Sequence, residues 1–197
     1  MREAGVGRVL VASLHQGIAD VLPNRLGFYE SWLTAEGLRD GKIGLAPLYA
    51  VLSFLRQEGD AYQMITTRAG EYAADWTVES MPQLRRSILR ATPQWLRGRL
   101  VLRLGREVVR SCYPGNKPIS HFRKGTAKVE VRASIFCTVR EPALRPLCGF
   151  YAAVFTRLLT LFGLRGRTEV VTCRGTGGHT CTMMVAFPNG RDPQAAS

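Results

Sequence analysis

Five cysteines, three histidines and a run of arginines carry the reactive side chains of this 197-residue chain that are best placed to do more than pack. Cys173 and Cys181 bracket the segment Arg174-Gly175-Thr176-Gly177-Gly178-His179-Thr180, which joins two β-rich runs. A hairpin there sets both sulfurs at the base of one loop. Cys148 falls at the start of an apolar helix, where free amides and the helix dipole stabilise a thiolate. Three thiolates and one further ligand complete a tetrahedral zinc site of the structural kind. The candidates for the fourth place are Glu169, four residues before Cys173, and His179 inside the loop. Buried free thiols are the alternative reading. Cys112 and Cys137 have no clustering partner in sequence and are expected to pack. His15 and His121 have no acid or nucleophile at a telling spacing.

Arg99, Arg103, Arg106 and Arg110 follow i, i+4, i+7, i+11 spacing, with Leu100, Leu104 and Val108 on the neighbouring face. This basic amphipathic helix is open to three readings: a solvated face, a site for an anionic partner such as nucleic acid, an acidic protein or a membrane surface, or contact with a ligand's carboxylates. Nucleic acid is disfavoured, because no DNA-reading motif accompanies the stripe and Trp95 is its only nearby aromatic. No nucleophile, base and orienting group fall at readable spacing. The glycines of the 174–180 loop join hairpin strands and do not open a helix, so a dinucleotide site is a weak reading. The chain reads as a binder more than an enzyme. Phe28, Tyr29, Trp32, Phe54, Tyr62, Tyr72, Trp76, Phe150, Tyr151 and Phe155 are either core or the wall of a pocket for an aromatic, acyl or tetrapyrrole ligand.

The elements that must position these residues follow from periodicity. Helices are predicted over 5–22, 26–36, 47–56, 61–79 and 93–111, the last opened by Thr92-Pro93. Val129, Val131, Ala133 and Ile135 then alternate with polar residues as a half-buried strand. An apolar helix over 146–162 ends at Gly163, and β-rich runs over 168–173 and 181–187 precede a polar tail, 188–197. This order predicts an α+β domain over 1–187, with N-terminal helices (about 1–111) packed on a small antiparallel sheet contributed by a strand-helix-hairpin half (about 127–187). The longest apolar stretch, 149–164, is interrupted by Arg157 and is too short to span a bilayer. With no secretory signal visible, the expected compartment is the cytoplasm and the expected state of the cysteines is reduced. The net charge of +12 is uneven: residues 1–80 hold 7 bases and 10 acids, and residues 81–132 hold 13 bases and 2 acids. Any basic surface is therefore local.

Pro146-Leu147-Cys148-Gly149-Phe150-Tyr151, a helix ending at Gly163, and the run from Cys173 through Cys181 to Val185 together resemble the 4-vinyl-reductase (4VR) domain. That family shares its fold with Bet-type subunits of the TRAPP tethering complexes. The resemblance is most specific over about 128–187. It implies a ligand-binding sensor or carrier, with a bacteriochlorophyll-biosynthesis vinyl reductase or a TRAPP-like docking module as alternatives. It also implies zinc held by Cys148, Cys173, Cys181 and a glutamate three residues before the first hairpin cysteine. Here that position is Val170 and Glu169 is displaced by one, so Glu169 serves only if a bulge re-aims it. The implied partners are a small apolar ligand and an acidic protein or a second copy of the chain.

Overall fold

Leu10, Val11, Leu14 and Ile18 recur at helical spacing and are buried on one side of the first helix, α1 (Arg8–Val21), which Pro23 stops. The computed structural model describes residues 7–33, 44–123 and 125–187. A short turn over Pro23–Arg25 leads into α2 (Leu26–Glu30). Then come α3 (Leu45–Gln57), α4 (Asp60–Glu79), α5 (Gln83–Ala91) and α6 (Gln94–Cys112). Two strands, β1 (Lys117–Arg123) and β2 (Thr126–Arg132), precede a turn at Ile135–Cys137 and an irregular strap. Helix α7 (Gly149–Leu161), β3 (Arg167–Thr172) and β4 (Cys181–Ala186) complete the described chain. The architecture is α+β, as the order of elements predicts. No helix among the described residues is long and apolar enough to cross a membrane.

The four strands form one antiparallel sheet in the order β1-β2-β4-β3. Val129 faces Met183 and Val131 faces Cys181 across the β2–β4 pair, and all four are buried. Strand β1 is absent from the sequence prediction because Lys-Pro-Ile-Ser-His-Phe-Arg alternates weakly. Its Pro118 is tolerated because β1 is an edge strand. Helix α5 is also new, and the expected 26–36 helix is cut short at Glu30, residues 34–36 lying outside the described residues. The tail 188–197 lies outside them too. Thr92 does not cap α6: its hydroxyl donates backward to the Ile88 carbonyl at 2.7 Å.

Helix α4 is the central element, packed against α1 on one side and α7 on the other. The α4–α7 contact is backbone-close. A Cβ on Gly70 would stand 2.3 Å from the Phe150 carbonyl oxygen and 2.7 Å from the Ala153 Cβ. Gly70→Ala is therefore expected to destabilise the protein by about 1–3 kcal/mol, the usual cost of overpacking. A urea-denaturation midpoint equal to that of the parent would show that the two helices separate freely.

Candidate metal centre

Each cysteine of interest arrives on a different local device. Cys173 directly follows β3 and Cys181 opens β4. The loop between them curls over the Cys173 carbonyl, which accepts from the Thr176 amide (3.1 Å), the Gly178 amide (3.0 Å) and the Thr176 hydroxyl (3.0 Å). Gly177, at φ 92°, supplies the left-handed residue that this curl requires. Cys148 occupies the N-cap of α7, with its carbonyl accepting from the Tyr151 amide at 3.1 Å. Cys137 ends the tight turn that follows β2. The strap between Cys137 and Cys148 is laced to the rest: the Ala143 amide donates to the Gly175 carbonyl at 2.6 Å. The Tyr62 hydroxyl and the Gln63 amide donate to the Leu147 and Pro146 carbonyls at 3.0 Å each.

These devices bring four sulfurs to one point. Cys148 and Cys173 are 3.1 Å apart, Cys137 and Cys148 3.2 Å, and Cys137 stands 3.4 Å from both Cys173 and Cys181. All four sulfurs lie within 4.8 Å of one another, all four residues are buried, and none is in a disulfide. A tetrahedron built on zinc–sulfur bonds of about 2.3 Å has edges of about 3.8 Å, so small adjustments place an ion at the centre. Four soft donors with no vacant position suit a closed structural site.

The electrostatics distribute the protons unevenly. Sulfur contacts from Cys137, Cys148 and Cys181 hold the Cys173 thiol well below its ordinary value, and the Leu147 amide donates to its Sγ at 3.3 Å. Cys137 is also lowered, chiefly by Cys148. Cys148 and Cys181 are raised, chiefly by Cys137. A divalent cation among these sulfurs would displace the thiol protons. Arg56 donates to the carbonyl of Phe136, the residue before Cys137, at 3.0 Å, and its Nε is buried without a partner. Burial raises the pKa of Tyr62, whose hydroxyl stands near Arg56.

The fourth sulfur corrects the sequence reading. Glu169 lies on the exposed face of β3 and pairs with Arg167 at 3.4 Å, and His179 is exposed at the loop tip. The strand does bulge, but between Val170 and Thr172, beyond Glu169, so Thr168 points in and Glu169 out. Cys137, expected to pack, takes the fourth position. Its signal lay in pairing: Cys181 opens the strand beside β2, and Cys137 follows where β2 ends. Cys112 stays apart on α6, where burial pushes its thiol up to about 12.

The aromatic set divides. Tyr62, Phe150, Tyr151 and Phe155 are core residues. Trp76 stacks on Tyr72 at 5.5 Å, and Tyr72 donates to Asp20. Phe28, Tyr29 and Phe54 instead wall an open cup of about 560 Å³ together with Arg25, Gln57 and Glu58. Phe28 meets Tyr29 and Phe54 edge-on at 5.2 Å, and Trp32 lies 5.9 Å from Phe54. Glu58 accepts from the Tyr29 hydroxyl at 2.8 Å and from Arg25. The arginine stripe also divides. Arg99 lies over the Phe122 ring, Arg103 faces Glu107 at 3.9 Å, Arg110 is exposed and Arg106 is half-buried.

No protein-family model matches the chain, and no curated protein matches it in sequence. Its fold matches solved structures. A mutant H-NOX protein from K. algicida, in the Fe(II) unliganded state, is 12% identical with a TM-score of 0.58, the match covering 94% of this chain and 98% of that one. An H-NOX protein from S. oneidensis in the Fe(II)NO ligation state is 11% identical with a TM-score of 0.54, covering 93% and 99%. The phenol-responsive sensory domain of the transcription activator PoxR, solved with phenol, is 15% identical with a TM-score of 0.51, covering 71% and 73%. At these identities the likeness is one of fold. It overturns the assignment to the 4VR domain and the TRAPP subunits, since the matching architectures are H-NOX domains and the PoxR sensory domain. The motifs behind that assignment, the Pro146–Tyr151 run with its helix ending at Gly163 and the cysteine–glycine hairpin, are local and do not specify how the other helices are arranged around them. A histidine-held iron does not fit this interior either: His15 is half-buried on Glu30, and His121 and His179 are exposed.

Glu58 links the cup to folding. The Tyr29 hydroxyl, then Arg25, holds its carboxyl below the ordinary value of 4.5, so its stabilisation is fully present above about pH 4.5 and is lost as pH falls through the lower folded value. Glu58→Gln is expected to flatten the acid dependence of the melting temperature in that window. An unchanged slope would show that the carboxyl titrates alike in folded and unfolded chains.

Proposed function

We propose that this chain is a small-molecule sensory domain in which Cys137, Cys148, Cys173 and Cys181 hold one zinc ion as a structural tie and the cup between α2 and α3 receives an apolar or aromatic ligand. The observation that carries the reading is that the last turn of α3 touches both places. Phe54 walls the cup, while Arg56, two residues on, holds the Phe136 carbonyl beside Cys137. A ligand that favours one position of Phe54 therefore biases the strap that carries Cys137. It does so only by the difference in its affinity for the two positions. The fold's likeness to a phenol-responsive sensory domain and to H-NOX proteins that bind NO supports the same class of function.

The four sulfurs surround one point, which suits a single tetrahedral ion such as zinc and leaves no room for a multi-iron cluster. When bound, the ion supplies a cross-link between the strap, the start of α7 and the β3–β4 hairpin. The chain's own contribution is to bury the sulfurs, to donate the Leu147 amide to Cys173, and to tie the Phe136 carbonyl, one residue before Cys137, to Arg56.

Metal analysis of the purified protein is expected to find one zinc per chain. Cys137→Ser or Cys181→Ser should reduce it below half, whereas Glu169→Ala and His179→Ala should retain it. Acidification should release the ion, because protons compete for the thiolates. Substoichiometric zinc that is indifferent to Cys137 would overturn the metal reading. For the cup, calorimetric titration with phenol or indole should show saturable binding, and Phe54→Ala should weaken the apparent affinity about tenfold. A response untouched by that substitution would place the ligand elsewhere.

A further inference from the structure

The arginines of α5 and α6 sort into those that serve the fold and those that do not. Residues 81–112 contain eight arginines and a single acid, Glu107. Arg86 closes the end of α4 by donating to the carbonyls of Val78, Glu79 and Met81. Arg97 donates to the carbonyls of Thr92 and Phe162. Five of the others, Arg85, Arg90, Arg99, Arg103 and Arg110, are exposed. Charge in this excess repels itself, and the capping of helix ends does not account for it.

Apolar side chains are exposed among them. Leu84 and Ile88, one turn apart on α5, are 74% and 56% exposed, and Trp95 at the start of α6 is 70% exposed. Single exposed apolar residues are ordinary, but a group of them rimmed by charge marks a contact surface. Between α5 and α6 runs a groove of about 440 Å³ whose lining includes Leu84, Ile88, Leu89, Leu100 and Leu104. Arg85 and Arg103 stand at its rim, both paired with Glu107, at 2.7 and 3.9 Å.

We infer that this groove is a docking site for an acidic amphipathic helix of a partner protein. A groove between two helices takes apolar anchors spaced i, i+4 from a third, and acids flanking those anchors meet Arg85 and Arg103. Charge complementarity is what selects the partner: a basic helix would face Arg85 and Arg103, with Glu107 as the one acid in the groove's lining. An anionic lipid surface fits less well, because the groove is concave and Glu107 would be pressed toward like-charged headgroups. The inference does not depend on the zinc or cup readings, since neither site shares a residue with the groove.

The test is fluorescence anisotropy with a labelled 18-residue peptide carrying leucines on one helical face and glutamates on the other. A scrambled peptide of the same composition and a lysine-for-glutamate version serve as controls, and phosphatidylserine vesicles are assayed in parallel. The full chain is expected to bind the acidic amphipathic peptide, and to do so more weakly as salt is raised. Leu84→Ser with Ile88→Ser should weaken binding at least tenfold, and so should Arg85→Glu with Arg103→Glu. The apolar pair is exposed, so an unchanged melting temperature will show the fold intact. Equal affinity for the scrambled peptide, insensitivity to both double substitutions, or binding to vesicles but not to peptide would each overturn the proposal.

Discussion

Four thiols enclosed in a protein interior cannot all ionise and have no water to share their protons with. They must either hydrogen-bond to one another or surrender protons to a cation. The region around Cys137, Cys148, Cys173 and Cys181 is organised by that constraint. The hairpin loop curls over the Cys173 carbonyl, which accepts from three donors, the strap hangs from Tyr62 and Gln63, and the Leu147 amide, just before α7, donates to the Cys173 sulfur. The sheet closes the arrangement because β4 opens on Cys181 opposite Val131, at the end of β2 that leads to Cys137.

Helix α4 transmits the consequences. Its first turns hold the strap through Asp60, Tyr62 and Gln63, and its middle packs on α7 at Gly70 with no side chain between. The cup lies at the other end of the α3–α4 connection, with Glu58 accepting from Tyr29 and Arg25. The α3–α4 corner thus stands between an exposed aromatic surface and a buried sulfur cluster.

Charge follows a different division. The basic excess falls on α5, α6 and the first two strands, and two of its arginines are consumed by helix ends. Arg56, from the more acidic half, holds the Phe136 carbonyl just before the strap. Net charge therefore says little about the sulfur cluster and much about the outer face of α5 and α6.

The α+β order, the α1, α4 and α6 helices, the β3–β4 hairpin and three of the four clustered cysteines were legible in the sequence, because each rests on a local period or a short spacing. Strand β1 and helix α5 were not: their signals are weak, and partners elsewhere stabilise them. Glu169 and Cys137 mark the boundary most clearly. Spacing proposed the glutamate, and a strand's alternation turned it outward, since the bulge falls after it. Cys137 lies 36 residues before Cys173, and only the pairing of β2 with β4 brings it near. The family assignment failed for the same reason, since a motif describes a loop whereas an architecture is a set of long-range contacts. Residue types and spacing determined by themselves that sulfur chemistry was available. Tertiary structure decided which sulfurs meet, because antiparallel pairing and the packing of α7 on α4 fix distances that no local pattern encodes.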